Sequence, residues 1–77
     1  MDVKRKRSLS LHGHATSVAL EPAFWMIIDE VAAREGVSVA RLVQHIDDQR
    51  LGEGLRSGLA SHLRVWCVGE LRSRLGT

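Results

Sequence analysis

Ser17-Val18-Ala19-Leu20-Glu21-Pro22-Ala23-Phe24-Trp25, running on through Glu35-Gly36-Val37-Ser38-Val39 to Ile46, is the stretch whose pattern decides the fold. Ser17, Val18, Ala19 and Leu20 alternate small with larger apolar residues, the period of two expected of a strand with one buried face. Pro22 stops that strand and suits the first turn of a helix, where its missing N–H is not needed. Beyond it Phe24, Ile27, Ile28, Val31 and Ala32 recur at i, i+3, i+4, i+7 and i+8, a stripe about 100° wide. Gly36 is expected just past the end of this helix, with Ser38 as N-cap of the next. The spacing predicts helices over roughly 22–35 and 39–50. The second turns Val39, Leu42, Val43 and Ile46 inward and Arg41, Gln44, His45, Asp47 and Asp48 outward.

Toward the N-terminus the pattern changes phase. Leu9 and Leu11 are odd-numbered while Val18 and Leu20 are even-numbered, so one regular strand cannot bury all four. A bulge at Gly13 or a hairpin turning at 12–15 would each restore the phase, and the residues do not choose between them. Residues 1–7 are expected to be a basic, flexible arm. Lys4, Arg5, Lys6 and Arg7 stand against Asp2 before residue 21, a net +3, while residues 21–77 carry seven Arg against eight acids, a net −1. The positive field belongs to one end of the chain, as in a solvated tail or an arm that meets nucleic acid.

Toward the C-terminus, Leu51-Gly52-Glu53-Gly54-Leu55-Arg56-Ser57-Gly58 is expected to be a loop. A third helix follows over roughly 57–74, capped by Ser57, with Ala60, Leu63, Cys67, Leu71 and Leu75 at helical spacing and Leu59 and Trp66 widening the face. Val65-Trp66-Cys67-Val68 is apolar all round, which predicts packing on more than one side. Trp25, at the edge of the first stripe, is expected to close a seam to a partner chain or to this last helix.

The 77 residues make one domain over 8–77, with 44% hydrophobic and only 4% aromatic content. A chain this short is marginal as a monomer. The single Cys67 excludes an internal disulfide and suits a reducing cytosol. No apolar run approaches the roughly 18–20 residues of a membrane span, and the basic start lacks the apolar region of a secretion signal. A cytoplasmic, nucleoid-associated, self-associating domain is the expectation. A single strand leaves N–H and C=O groups unpaired, at about 1–3 kcal/mol each if buried. A second copy would satisfy them by forming an antiparallel two-stranded ribbon across a two-fold axis, with Val18, Leu20, Phe24, Trp25, Ile28, Leu42 and Ile46 as the shared dimer core. Such a ribbon fits the major groove of B-form DNA.

Strand, Pro at a helix start, two helices and Glu-Gly-x-Ser between them resemble a ribbon-helix-helix protein. The run Gly13-His14-x-Thr16-Ser17-Val18-x-Leu20-Glu21-x-x-Phe24-Trp25 is similar to a small bacterial subfamily of that fold, and the resemblance extends over roughly residues 5–72. It implies a mainly α, intertwined homodimer with an added C-terminal helix. It also implies a DNA-binding transcription regulator, often a repressor, whose dimers can assemble further on DNA. Carried onto this chain, base-facing positions are Ala15, Ser17 and Ala19, and the phosphate anchor is Gly36-Val37-Ser38-Val39, with Ser38 and Val39 opening the second helix. Alanine offers only a methyl contact to thymine. Further reading would therefore come from His12, His14 or the arm Lys4, Arg5, Lys6 and Arg7. A second reading keeps the dimeric fold as a protein-interaction module, antitoxin-like or adaptor, recruiting a partner through the C-terminal helix.

His12 and His14 share one side of an extended segment, a spacing compatible with a metal, but no CxxC or HExxH pattern completes a set with His45, His62 or Cys67. Asp47 and Asp48 diverge by about 100° on a helix and make a poor acid–base pair. No enzyme chemistry, metal or cofactor is expected.

Overall fold

The computed structural model describes residues 3–54 and 58–76. Two antiparallel strands, β1 (Arg5–Leu11) and β2 (His14–Leu20), are followed by α1 (Pro22–Glu35), α2 (Val39–Gly52) and α3 (Leu59–Arg74). The expected ribbon, helix pair and added C-terminal helix are all present. Both strands of the ribbon, however, come from one chain. Seven residue pairs run from Arg5↔Leu20 to Leu11↔His14, so the expected single N-terminal strand is a two-stranded hairpin. The arm is correspondingly shorter, because Arg5, Lys6 and Arg7 are strand residues. The first two residues of the arm, and Ser57 as the expected cap of α3, lie outside the described residues.

The hairpin resolves the change of phase. His12 (φ 53°) and Gly13 (φ 80°) both take left-handed backbone, the requirement of a two-residue type I′ turn, whose twist matches that of the strands. Every pair then joins an odd residue of one strand to an even residue of the other. Leu9, Leu11, Val18 and Leu20 thereby share one face and are all buried. The opposite face carries Lys6, Ser8, Ser10, Ala15, Ser17 and Ala19.

The helices follow their sequence signals closely. Gly36 (φ 68°) ends α1, with its N–H and that of Val37 closing on Ala33 and Ala32, a Schellman arrangement. Ser38 caps α2, its Oγ accepting the Arg41 N–H at 3.1 Å. Leu20, Ile28, Val31, Val43, Ile46, Leu63 and Cys67 form the fully buried centre beneath the ribbon. The side chains expected to form a dimer core are therefore already covered within one chain, Phe24 only partly.

Trp25 is 2% exposed, in one core cluster with Leu63 and Cys67 of α3. Its indole N–H donates to the Arg5 carbonyl at 2.8 Å, while the Arg7 guanidinium lies 4.4 Å from its ring centroid. Asp29 grips the same guanidinium with both oxygens, at 2.7 and 2.9 Å. Together these contacts fasten the start of β1 to α1. The other end of the ribbon is fastened to α2, since the His12 N–H donates to Gln44 Oε1 at 3.0 Å. The His12 imidazole lies 3.3 Å from Asp48 and 3.5 Å from Asp47. Asp47, expected on the outer face, is buried and bound by Arg50 at 2.7 Å. An aspartate can turn inward where a guanidinium and an imidazole meet its charge.

α3 is covered on one side only. Cys67 is buried with its Sγ 3.7 Å from the Phe24 carbonyl, and burial pushes the thiol pKa up to about 11. Val65 and Val68, expected to pack on a second side, are 69% and 50% exposed. Ion pairs Arg64–Glu21, Arg74–Glu30 and Arg34–Glu70, at 2.9–3.0 Å, rim its contact with α1.

Candidate nucleic-acid interface

The open face of the ribbon is built by register. Side chains alternate along a strand, so burying Leu9, Leu11, Val18 and Leu20 obliges Lys6, Ser8 and Ser10 of β1 to share a surface with Ala15, Ser17 and Ala19 of β2. The cross-strand pairs are Lys6↔Ala19, Ser8↔Ser17 and Ser10↔Ala15. No side chain on this surface except Lys6 is larger than serine. The result is a low, polar platform that lets another molecule approach the backbone closely.

Charge is unevenly shared between the strands. Lys4, Arg5 and Lys6 are exposed and, among the described residues, have no carboxylate at ion-pair distance. Arg7 differs from its neighbours. Asp29 holds it through two hydrogen bonds, which raise its pKa and lower that of Asp29. Its cation is thus spent inside the fold, and the basic run offers the exposed Lys4, Arg5 and Lys6, of which Lys4 adds to the larger effect of Arg64 in lowering the Glu21 pKa.

The start of α2 lies beside the ribbon. A shallow cleft of about 560 Å³ is lined by Ser10, Ser38, Ala40, Arg41, Gln44, His45 and Asp48. It joins the turn end of β1 to the first turn of α2. The N–H groups of that turn and the exposed Arg41 supply a positive border. Val39 packs partly against the core, so its backbone, and not its side chain, belongs to this border.

Several expected positions therefore come together, and others do not. Ala15, Ser17, Ala19 and Lys6 share the open face. Ser38 stands at the cleft. His12 is turned toward Asp47 and Asp48 on α2, away from that face, and His14 is exposed beside the turn. Ser8, Ser10 and Arg41 join the interface without having been expected there. The signal for the two serines is the hairpin register itself, which puts Ser8 opposite Ser17. Among the described residues no three His, Cys, Asp or Glu side chains are grouped to hold a metal ion, and no helix is long and apolar enough to cross a membrane.

The family model described as "Ribbon-helix-helix domain" matches residues 4–71. Among solved structures, the chain is similar to an uncharacterized protein from Bordetella pertussis Tohama I. The two are 38% identical with a TM-score of 0.79, and the match covers 96% of this chain and 61% of that one. The chain thus spans under two thirds of the length of that structure. Comparison with curated proteins gives no match.

Proposed function

Because the chain belongs to the ribbon-helix-helix domain family, whose members are typically DNA-binding transcription regulators or antitoxins, we propose that it binds duplex DNA as a homodimeric regulator of the repressor kind. The open face of the ribbon meets the major groove. The observation that carries this reading is the coincidence of a low Ser/Ala platform bearing Lys6, the exposed Lys4 and Arg5 at the start of the same strand, and the N-terminus of α2 beside its turn end.

A β-ribbon is narrow enough to enter a groove about 12 Å wide, where serine hydroxyls can donate to or accept from base edges and alanine can touch a thymine methyl. Lys4, Arg5, Lys6 and Arg41 meet phosphates, and the first turn of α2 takes one phosphate on its free N–H groups and the Ser38 hydroxyl. No Arg, Asn or Gln stands on the platform to make a bidentate base contact. Discrimination between sequences is therefore modest compared with affinity for the backbone.

The test is duplex binding at low and physiological salt, by fluorescence anisotropy, for the chain and for a Lys4→Ala/Arg5→Ala/Lys6→Ala variant. Substitution is the proper comparison, because deleting residues 1–7 would remove the first part of β1. Binding that weakens steeply with salt, with a slope lower by about 2–3 in the variant, supports the reading. No binding at low salt ends it.

The exposed Val65, Val68, Leu71 and Leu75 on and just beyond α3 favour a second reading, in which this helix recruits a protein partner. Val65→Ser/Val68→Ser would then abolish that partnership while leaving DNA affinity intact. Loss of both together would reject a separate role for α3.

A further inference from the structure

The first strand of the ribbon has a second edge, turned away from β2. In a two-residue turn the flanking pair, Leu11↔His14, is hydrogen-bonded on both sides, and bonded and unbonded pairs alternate from there. The N–H and C=O groups of Lys6, Ser8 and Ser10 therefore point outward along β1, and among the described residues none of them has a hydrogen-bond partner. At about 3.4 Å per residue, three donors and three acceptors lie in a row about 14 Å long.

Nothing in β1 closes this row. The strand has no proline and its pairing to β2 runs without a bulge. The side chains of Ser8 and Ser10 are short, and beside Ser10 the row opens into the cleft that leads to Ser38 and Arg41. What the edge does carry is charge, with Lys4, Arg5 and Lys6 exposed at its other end. Lysine on an edge keeps a strand from pairing with its own copy. Against an acidic strand the same cations are an attraction.

We infer that the outer edge of β1 is a docking site for an extended acidic peptide, which joins the ribbon as a further strand antiparallel to β1. Main-chain hydrogen bonds at Lys6, Ser8 and Ser10 hold it, as in other cases of strand addition. The register then fixes which side chains suit, because residues directly opposite each other share a face. Those opposite Ser10 and Ser8 stand on the open face and are small or hydroxylated. The one opposite Leu9 turns toward the helices and is apolar. Those opposite Lys6, Arg5 and Lys4 are acidic. Read from its own N-terminus, the fitting segment is a short hydroxylated and β-branched stretch that ends in a run of acids. If the function proposed above holds, those cations also meet phosphates, so a docked peptide and a duplex exclude each other.

The probe is a fluorescein-labelled peptide, acetyl-Thr-Val-Thr-Val-Glu-Glu-Glu-amide, titrated against the whole chain by anisotropy. No DNA is present, so failure here leaves the DNA-binding reading standing, and failure to bind DNA leaves this site standing. N-methylation of the second threonine and the first glutamate removes two N–H groups aimed at β1 and should weaken binding about 10-fold or more. N-methylation of the two valines, whose N–H groups point away, should leave affinity within about 2-fold at the same net charge. At saturation, amide exchange at Lys6, Ser8 and Ser10 should slow by at least about 10-fold, with Ala15, Ser17 and Ala19 unchanged. Ser8→Pro removes the central outward N–H, spares the bonds to β2 and should lose binding while keeping the wild-type circular dichroism. No binding, equal affinity of the two methylated peptides, or protection at Ala15, Ser17 and Ala19 instead overturns the inference. If Ser8→Pro does not fold, the methylated pair and the exchange pattern decide.

Discussion

β1 and β2 each run seven residues and bury their third-last and last side chains, yet β1 carries three cations and β2 none. The burial pattern that makes them partners in a fold is nearly the same. What differs is the chemistry on positions the core does not use. The comparison separates two demands on a short sequence. Apolar residues at alternate positions fix the register, and the positions between them are free to carry charge on one strand and to be bare on the other. Arg7 is the instructive exception. It belongs to the basic run by sequence, but Trp25 and Asp29 have drawn it into the fold.

The strongest way to break the comparison is through the buried face. Leu20→Ala should cost about 2–5 kcal/mol in chemical denaturation, with Leu9→Ala toward the lower end. Val18→Asp should leave no folded chain by circular dichroism, because an unpaired carboxylate would face the core. A larger loss at Leu9 than at Leu20 would contradict the placement of β2 as the more deeply packed strand.

Next comes the contrast between Arg7 and Lys6. Arg7→Ala should lower stability by about 1–2 kcal/mol through loss of its charge-assisted hydrogen bonds and its ring contact, leaving the salt slope of DNA binding nearly unchanged. Lys6→Ala should do the reverse, shifting stability within about 0.5 kcal/mol and reducing the slope by about 1. A stability loss shared equally by the two would show that Arg7 is as free as its neighbours.

Trp25→Phe keeps most of the apolar bulk and removes the bond to the Arg5 carbonyl, so about 1 kcal/mol should be lost. Nuclear magnetic resonance should locate that loosening at Lys4–Lys6, with the turn at His12-Gly13 unaffected. Uniform broadening through both strands would mean the two ends of the ribbon are not fastened separately.

The smallest effect is in acid. Arg7 lowers the Asp29 pKa in the folded chain below the unfolded value near 3.9. The pair's stabilisation is therefore complete above that value and is lost as pH falls through the lower folded one. Both partners are well exposed, so solvent screening holds the effect under about 1 kcal/mol. Asp29→Asn should flatten this part of the acid profile; an unchanged slope would assign it to another carboxylate.

Much of this architecture is legible in the residues because local rules agree with the global one. Pro22, Gly36 and Ser38 mark helix ends by backbone chemistry that tertiary packing does not override, and α1 begins and ends where they indicate. The first strand of the hairpin is harder to see, although its evidence is present. Odd leucines before Gly13 and even residues after it are the mark of a two-residue hairpin with a register that changes parity, and His12-Gly13 is a turn whose first residue must accept a positive φ. Helical spacing gives Asp47 no reason to be inside; only Arg50 one turn on and the approach of His12 from the ribbon supply one. Trp25 is equally opaque, since its hydrogen bond to Arg5 depends on how the hairpin sits on α1. The open face can be read for Ala15, Ser17 and Ala19 from alternation alone. Ser8 and Ser10 need the pairing partner to be known.

Cys67 has a use that its inertness creates. Sealed between α1 and α3, with its sulfur protonated at neutral pH, it can meet an alkylating reagent only when those helices part. The rate at which a maleimide consumes it therefore times the breathing of the protein without any introduced label, and whatever ligand or partner slows that clock must be holding the two helices together.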